Sequence, residues 1–404
     1  MNIYPSGGGI GSTTTISPFG DLIAQPLTPL VQVDFVYGIN SQQGAVTINT
    51  TGVGDASVGR LRLQTGTGAA GSATYTTRRP AQYRPGQGMI ARLTMPMTTG
   101  VANSTQIAGA GDANDGYFFG FNGATFGVLH RNNNVDTWIA QSTWNGDKCD
   151  GTGGSGFIWN KTFGIPVQIC YPYLGYGNIT FWVQNPETTQ WLLCHTVRYA
   201  DTTSTTEVRN PDLGLYFQAI NSGNTTNLTM YVGSASIFMC GELSLLGKPK
   251  WAADNLKTTI TAETNIVSIR NCTTMNGVTN HGLIRINSVS MASTSNNGAA
   301  ILRIKIGPTV AGSPSFTPIS GSTADNGVTL TSANSIASFD IAGTTVTAGT
   351  GTYIFNLNVG SPGNANQDIQ DLDIFVGAGE TCVISAFSTA STTIQIGVNW
   401  TEDI

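Results

Sequence analysis

The stretch Tyr117-Phe-Phe-Gly-Phe-Asn-Gly-Ala-Thr-Phe-Gly-Val-Leu-His-Arg131 decides the fold class. Its two arms, residues 117–121 and 125–131, are rich in aromatic and branched side chains, which suit pleated strands. Between them lies an Asn-Gly pair at 122–123, and these two residue types tolerate the positive φ that a tight hairpin turn demands. The stretch therefore predicts an antiparallel β-hairpin.

Short segments of alternating apolar and polar residues continue on both sides of this hairpin. They include residues 31–37, 60–64, 89–95, 167–171, 179–183, 192–197, 213–217 and 228–232. A period of two with turn residues at each break is typical of half-buried antiparallel strands. About ten to fourteen such strands predict one β-sandwich over residues 21–245, with two sheets that bury alternate side chains.

A second series of alternating segments begins after residue 258. It includes residues 283–289, 301–306, 338–341, 353–359, 372–376, 382–387 and 394–400. Roughly eight strands in this length predict a jelly roll over residues 258–404. Residues 246–257 carry a Pro and half of the six lysines without alternation, so we predict a linker there. Residues 1–20 are rich in Gly, Ser and Thr and predict a flexible arm.

Charge is sparse along the whole chain. Charged residues make up 10% of the sequence and the net charge is −5, so the clustered basic face of a nucleic-acid-binding protein is not expected. The sequence contains no apolar run of about 18 residues, so no membrane-spanning helix is predicted either. The first residues lack the basic and apolar segments of a signal peptide, and export without one, inside a virus particle, is one route consistent with that.

Two Asp-rich loops are the candidate oxygen sites. They are Asp112-Ala-Asn-Asp115-Gly and Asp147-Lys-Cys-Asp150-Gly. Calcium takes six to eight oxygen ligands, and neither loop matches the full twelve-residue calcium-binding pattern. Asp-Gly is also an ordinary way to make a tight turn. We favour turn chemistry over calcium, and predict neither a metal nor a cofactor.

The sequence gives little evidence for a set of catalytic residues. A glycosidase needs two carboxylates that face one sugar. The sequence offers two candidate groups. One is Asp112 with Asp115, and the other is Asp371 and Asp373 on one predicted strand with Asp368 nearby. A solvated strand edge is the simpler interpretation of the latter group. The three His residues are far apart in sequence. We therefore expect a protein that is not an enzyme.

Trp144 stands among polar and turn residues in Ser-Thr-Trp-Asn-Gly-Asp. Such a ring either stacks on a sugar, with the loop of Asp112 and Asp115 beside it, or folds inward as a loop anchor. Inward anchoring is the favoured alternative, and the stacking alternative defines the candidate carbohydrate site.

The six cysteines show no Cys-x-x-Cys pair, and each His is remote from them in sequence, which argues against zinc. Four of them fall in or at the ends of apolar strand-like runs, namely Cys170, Cys194, Cys240 and Cys382. Buried thiols are expected there, and one or more disulfides remain the alternative.

Several motifs resemble, as a set, surface or fibre-type virion proteins of tailed phages and of large DNA viruses of algae and protists. They are Tyr83-Arg-Pro-Gly-Gln-Gly88, Gly109-Ala-Gly-Asp-Ala-Asn-Asp-Gly-Tyr-Phe-Phe-Gly-Phe-Asn-Gly123, Phe126-Gly-Val-Leu-His-Arg131, Trp144-Asn-Gly-Asp147 and Asp150-Gly-Thr-Gly-Gly-Ser-Gly156. The closing segments 379–388 and 398–403 look like the last strands of trimeric head domains in such proteins. The resemblance implies architecture and a location on the virion, and it carries no catalytic residue.

Together these observations predict an all-β chain, with an N-terminal lectin-like β-sandwich and a C-terminal jelly roll. The expected function is that of a structural virion component, such as a fibre, a spike or a capsid-associated cap. We expect a homotrimer whose N-terminal arm contacts other virion proteins, without nucleic-acid or membrane partners. The alternative is a lectin-like module that attaches to host-surface glycans through Trp144, Asp112 and Asp115.

Overall fold

The computed structural model describes residues 26–404, apart from residues 246, 295–298, 320–322, 326–328, 333–334 and 361. It consists of two compact units, of which the first ends at Leu243 and the second begins at Ser244. The regular structure is almost entirely β-strand, with two short 3₁₀ turns at Gln141–Thr143 and Gln370–Leu372. The all-β prediction is confirmed. The predicted arm, residues 1–20, lies outside the described residues.

The first unit contains sixteen described strands. They are β1 (Leu27–Asp34), β2 (Gly44–Asn49), β3 (Val53–Ser57), β4 (Arg60–Gln64), β5 (Ser72–Thr77), β6 (Met89–Thr94), β7 (Ser104–Gly111), β8 (Gly116–Asn122), β9 (Thr125–Asn132), β10 (Val135–Ala140), β11 (Pro166–Tyr171), β12 (Ile179–Gln184), β13 (Trp191–Val197), β14 (Gly214–Asn221), β15 (Thr229–Val232) and β16 (Ser234–Cys240).

These strands form a sandwich. One sheet has the order β1-β16-β6-β11-β12-β13, the other has the order β10-β9-β8-β7-β14-β5-β2, and a small third sheet has the order β15-β4-β3. Alternate side chains of the two large sheets, such as Phe119 and Phe181, meet in one buried core. The predicted sandwich is therefore confirmed, because a period of two places every second residue on the buried face.

The hairpin that decided the fold class is the pair β8–β9. Phe119 lies opposite Val128 and Asn122 lies opposite Thr125, which leaves a two-residue loop. The positive φ falls on Gly123, at 59°, whereas Asn122 is the last residue of β8. Glycine at the first loop position is the residue that such a turn requires.

Glycines allow β8 to approach β7 closely and β9 to approach β10 closely. A Cβ at Gly120 would lie 1.9 Å from the carbonyl oxygen of Gln106, and one at Gly127 would lie 2.2 Å from that of Ile139. Both contacts are with the backbone of the neighbouring strand, which a side-chain movement does not relieve. These two positions therefore require glycine.

The second unit contains fifteen described strands. They are β17 (Lys250–Ile260), β18 (Thr264–Asn271), β19 (Thr274–Met275), β20 (Val278–Thr279), β21 (Leu283–Ser293), β22 (Ala300–Ile306), β23 (Thr317–Pro318), β24 (Thr323–Asp325), β25 (Thr329–Ser332), β26 (Ala337–Asp340), β27 (Thr352–Val359), β28 (Gly363–Asp368), β29 (Phe375–Val376), β30 (Thr381–Ser388) and β31 (Thr392–Asp403).

The main strands of this unit form two sheets, with the orders β17-β31-β21-β28 and β23-β26-β18-β30-β22-β27, and β29 pairs with β21. A small sheet has the order β20-β19-β25-β24. The chain passes from one main sheet to the other between successive long strands, except between β22 and β27, which are neighbours in one sheet. This is the topology of a jelly roll. Trp400, on β31, is completely buried in a second core of aliphatic side chains. The jelly-roll prediction is thus confirmed.

The predicted linker at 246–257 is wrong for its larger part, because β17 begins at Lys250 and pairs with β31 along its length. Trp251 lies opposite Trp400 and Ala253 lies opposite Val398. Charged side chains in this segment led to the prediction of a linker in place of a strand. They belong here to an edge strand, where charge protects against unwanted pairing.

The predicted strand at 372–376 is also shorter than expected, since only Phe375–Val376 is extended. Asp371 lies in the 3₁₀ turn and Asp373 ends it in the left-handed region, with φ 46°. Asp373 forms an ion pair with Arg285. The two aspartates therefore do not share a strand face.

Candidate functional site

Four loops meet at one end of the first sandwich. The side-chain amide of Asn132 donates to the carbonyl oxygen of Thr206 at 2.7 Å, and the amide of Glu207 donates to Gly175 at 2.9 Å. We call residues 112–115, 132–135, 172–178 and 198–213 the loop cluster. The loop cluster contains Asp112 and Asp115, two of the three residues of the predicted carbohydrate site.

Asp112 organises the tight turn between β7 and β8. Its Oδ1 accepts hydrogen bonds from the backbone amides of Asn114 and Asp115, at 2.6 Å and 2.7 Å. The amide of Asp112 donates to the carbonyl oxygen of Asp115 at 2.8 Å. This arrangement is a side-chain-stabilised turn, as the favoured alternative predicted.

Asp115 connects three loops. Its Oδ1 accepts from the amide of Asn133 at 2.9 Å and from that of Arg209 at 3.0 Å. The residue is 3% exposed, so this oxygen points into the protein and a sugar does not reach it. Asp115 fixes the loop cluster and is not a ligand-facing group in this structure.

An aromatic and acidic group lies beneath the loop cluster. Tyr117 stacks on His130 with ring centroids 5.7 Å apart and packs against Tyr171 at 5.1 Å. His130 Nε2 donates to the backbone oxygen of Glu207. Both carboxylate oxygens of Glu207 and the hydroxyls of the two tyrosines are buried and make no hydrogen bond of ordinary geometry with described residues.

Burial raises the pKa of Glu207 to about 8, and the nearby Tyr117 hydroxyl and the backbone at Gly177 lower it only in part. Burial likewise lowers the pKa of His130. At neutral pH both groups therefore carry little charge. Glu207 is completely inaccessible to solvent in this structure.

Trp144 does not join the loop cluster. It is 3% exposed and belongs to the main core. Its ring packs edge-on against Phe119 and Phe126, with centroids 6.2 Å away in each case. A ring in this position is not available to stack on a sugar. Inward anchoring, the favoured alternative, is what the structure shows, and the candidate carbohydrate site built on Trp144 is corrected accordingly.

A different aromatic group occupies the outer face of the seven-stranded sheet. One row across this face contains Trp138, Leu129, Phe118, Gly109 and Tyr216. Trp138 is half-buried beside the others. Strand β10 is six residues long, and its alternation of polar and apolar residues was too brief to identify Trp138 from the sequence as a residue of this face.

Polar groups surround that aromatic row. Arg131 forms a two-point ion pair with Asp136, at 2.6 Å and 3.0 Å, and its guanidinium lies 5.6 Å from the ring centre of Phe118. The amide of Gln218 donates to the hydroxyls of Tyr216 and Thr74 at 2.9 Å and 3.1 Å. Phe118, Leu129 and Tyr216 are themselves buried, so Trp138 is the ring of this row that a polar, ring-shaped ligand could reach.

Apolar side chains are exposed at one further place. Tyr37 is fully exposed, Val58 is 90% exposed and Val36 is 65% exposed. A Cβ at Gly59 would lie 3.9 Å from the Cα of Val36, so the turn after β1 and the β3–β4 hairpin are neighbours. We call Val36, Tyr37 and Val58 the apolar tip.

Across the described part of the chain, His, Cys, Asp and Glu side chains do not gather in groups of three or more that could hold a metal ion. None of the helices among these residues is long and apolar enough to cross a membrane.

No protein-family model matches the chain. The curated proteins likewise contain no match. Among solved structures, the potassium-bound carbohydrate recognition domain of Emp46p is similar at 10% identity and TM-score 0.33, covering 54% of this chain and 97% of that one. Lectin II from Ulex europaeus has 10% identity and TM-score 0.34, covering 52% and 99%.

A legume lectin-like domain from Entamoeba histolytica has 13% identity and TM-score 0.31, covering 51% of this chain and 95% of that one. These neighbours are lectin-like β-sandwiches, the fold class that the sequence predicted for the first unit. At such scores the likeness carries no argument about a ligand or a site.

Proposed function

We propose that this protein is a structural component of a virion surface, without enzymatic activity, that acts by assembly and contact. The apolar tip carries the proposal. Three adjacent apolar side chains in water are unfavourable unless another surface covers them. Tyrosine is in addition enriched at protein interfaces, because it combines a large apolar ring with a hydroxyl.

The backbone at the tip supports a specific role for it. Val58 has φ 54°, a left-handed conformation that is costly for a β-branched residue. Asn or Gly would form this turn with less strain. A strained valine that is also exposed points to a contact made by its side chain.

The proposed assembly has two levels. The second unit holds three copies together, and trimers contact one another through their apolar tips. The N-terminal residues contact other virion proteins. The motif resemblance described above and the sparse charge of the chain support this proposal.

Sedimentation velocity at rising protein concentration tests it. We expect a trimer that forms larger assemblies, and we expect Tyr37→Ser combined with Val58→Asn to retain the trimer but lose the larger species. Asparagine tolerates the left-handed backbone, so the turn is preserved. Val135→Ser, at another exposed apolar position, is the matched control. A monomer at micromolar concentration, or large assemblies that persist in the double variant, contradicts the proposal.

A second candidate function is glycan binding on the outer face of the seven-stranded sheet, favoured by the partly accessible ring of Trp138 on β10. Glycan-array binding that disappears in Trp138→Ala supports this candidate. Trp182→Ala is the control, since Trp182 is a half-buried tryptophan on the other large sheet. Absence of glycan binding by the wild-type protein, or binding that both variants retain, removes this candidate.

A further inference from the structure

Two cysteines from distant parts of the chain touch in the core of the first unit. The Sγ atoms of Cys149 and Cys194 lie 3.7 Å apart, although 45 residues separate them in sequence. Both residues are completely buried. The other four cysteines show no such sulfur–sulfur contact among the described residues.

The backbone on both sides of this pair is held in place. The amide of Gly146 donates to the carbonyl oxygen of Cys194 at 3.0 Å, and that of Asp147 donates to Leu193 at 2.8 Å. The amide of Cys149 donates to Asp147 Oδ1 at 2.8 Å. The segment before Cys149 therefore runs alongside β13, which holds the two sulfur atoms next to each other.

A disulfide needs a sulfur–sulfur distance of about 2.0 Å, so the two atoms must approach by roughly 1.7 Å from their 3.7 Å separation. Rotation about the two Cα–Cβ bonds moves both sulfur atoms and brings them toward each other. The thiols donate weakly within the described part of the chain, to the carbonyl oxygens of Asp147 and Leu192 at 3.6 Å and 3.7 Å.

We propose that Cys149 and Cys194 form an intramolecular disulfide when the chain folds in the presence of a low-molecular-weight disulfide such as oxidised glutathione. The thiolate of one cysteine attacks a sulfur of the oxidant, giving a mixed disulfide and releasing one glutathione thiol. The second cysteine then attacks the protein sulfur of that mixed disulfide and releases the other glutathione thiol. Two cysteines lose two protons and two electrons, and the oxidant gains them.

The timing follows from burial. Burial raises the pKa of the Cys194 thiol well above its usual value, so Cys194 holds little reactive thiolate in the folded protein. The reaction therefore takes place while the segment after Trp144 is still open. Closure then packs Trp144 and Trp159 against the core and shields the bond from reductants.

The disulfide fastens the segment that carries both tryptophans to β13. A covalent link between residues so distant in sequence restricts the unfolded chain and raises the melting temperature. The inference does not rest on the proposed virion role.

Peptide mapping of the full-length protein tests it. The protein is refolded with oxidised and reduced glutathione, its remaining thiols are alkylated, and it is digested without reductant. Trypsin releases residues 149–161, which contain Cys149 alone, and residues 162–198, which contain both Cys170 and Cys194. Additional cleavage after Glu187 separates Cys170 from Cys194.

We expect a linked pair of peptides that contains Cys149 and Cys194. We further expect the melting temperature of the oxidised protein to fall by several degrees on reduction. Cys170→Ser is the matched control and leaves both results unchanged, whereas Cys194→Ser abolishes the linked pair. Alkylation of both Cys149 and Cys194 in the refolded wild-type protein overturns the proposal, and so does linkage of Cys149 to another cysteine. The wild-type map decides the outcome even if a variant does not fold.

Discussion

The carboxylate of Asp115 accepts a hydrogen bond from the backbone amide of Arg209, 94 residues further along the chain, at 3.0 Å. The same oxygen accepts from Asn133. One buried side chain thus fixes the β7–β8 turn, the β9–β10 hairpin and the long loop before β14 relative to one another.

We expect Asp115→Ala to destabilise the first unit by about 2–3 kcal/mol, because two amides lose their acceptor in a buried position. Chemical denaturation measures the effect. Asp115→Asn keeps one carbonyl acceptor and should lose less. An alanine variant as stable as the wild-type protein would show that water replaces these bonds at no cost.

The sequence revealed the turn at Asp112–Asp115 but not the partners of Asp115. Asp, Asn and Gly types indicate a local turn, and the period of two indicates which side chains are buried. Neither signal shows that Arg209 lies beside Asp115, because that contact depends on how two loops of different strands meet. The burial of Glu207 was hidden for the same reason, since its neighbours in sequence are polar.

The missed strand β17 in the second unit has a related cause. Lysines and a proline resemble a linker whether they lie in solvent or on the edge of a sheet, so β17 was not recognised. Trp144 shows the opposite case, since its polar neighbours indicate a loop but do not decide whether the ring points inward. Its position follows from the aromatic core formed by Phe119 and Phe126, which belongs to other strands.

The pH dependence of the unfolding free energy should reflect the titration of Glu207. Its pKa rises from an ordinary value near 4.5 in the unfolded chain to about 8 in the folded protein. Between these values the folded state retains a proton that the unfolded state has lost, so stability falls as pH rises. From pH 6.5 to 8 the loss is about 2 kcal/mol.

Urea denaturation at pH 6.5 and 8 measures this loss, and Glu207→Gln should abolish it, since glutamine does not titrate. This window avoids His130, whose lowered pKa removes stability only as pH falls below about 6.5, where the unfolded residue gains a proton. Equal slopes for the wild-type protein and the variant would contradict the assignment.

Gly120 should tolerate no side chain. Alanine there would place its Cβ 1.9 Å from the carbonyl oxygen of Gln106, and relief requires that β7 and β8 separate. We expect Gly120→Ala to cost about 3 kcal/mol or more. Gly154→Ala is the control, because a Cβ at that position meets nothing within 4 Å, and its effect should stay below about 1 kcal/mol. Thermal unfolding of the two variants compares them directly.

Trp144 and Trp138 should differ in how much they contribute to the free energy of unfolding. Trp144→Ala leaves a cavity among Phe119, Phe126 and Trp159, and we expect a loss of about 3–5 kcal/mol. Trp138→Ala removes a half-buried ring from the outer face and should cost roughly 1 kcal/mol. Denaturation curves followed by far-UV circular dichroism give both values. Similar losses in the two variants would mean that the outer face is as tightly packed as the core.

The two units should fold separately but differ in self-association. The cores of the first unit are built from residues up to Leu243, and that of the second from Ile260 onward with Trp251 packed against it. A fragment of residues 1–243 should therefore unfold in one cooperative transition.

We expect that fragment to be monomeric by native mass spectrometry, and residues 244–404 to retain the oligomeric state of the full chain. The physical reason is that edge strands of the second unit expose apolar side chains, Leu256 on β17 and Tyr353 on β27, which another copy can cover. Leu256→Lys combined with Tyr353→Lys places charge on these edges and should dissociate the full-length oligomer without unfolding it. Leu174→Lys is the control, because it lies at an exposed position in the first unit, and it should leave the oligomer intact. If residues 1–243 remain oligomeric, the contact that holds the copies together lies in the first unit.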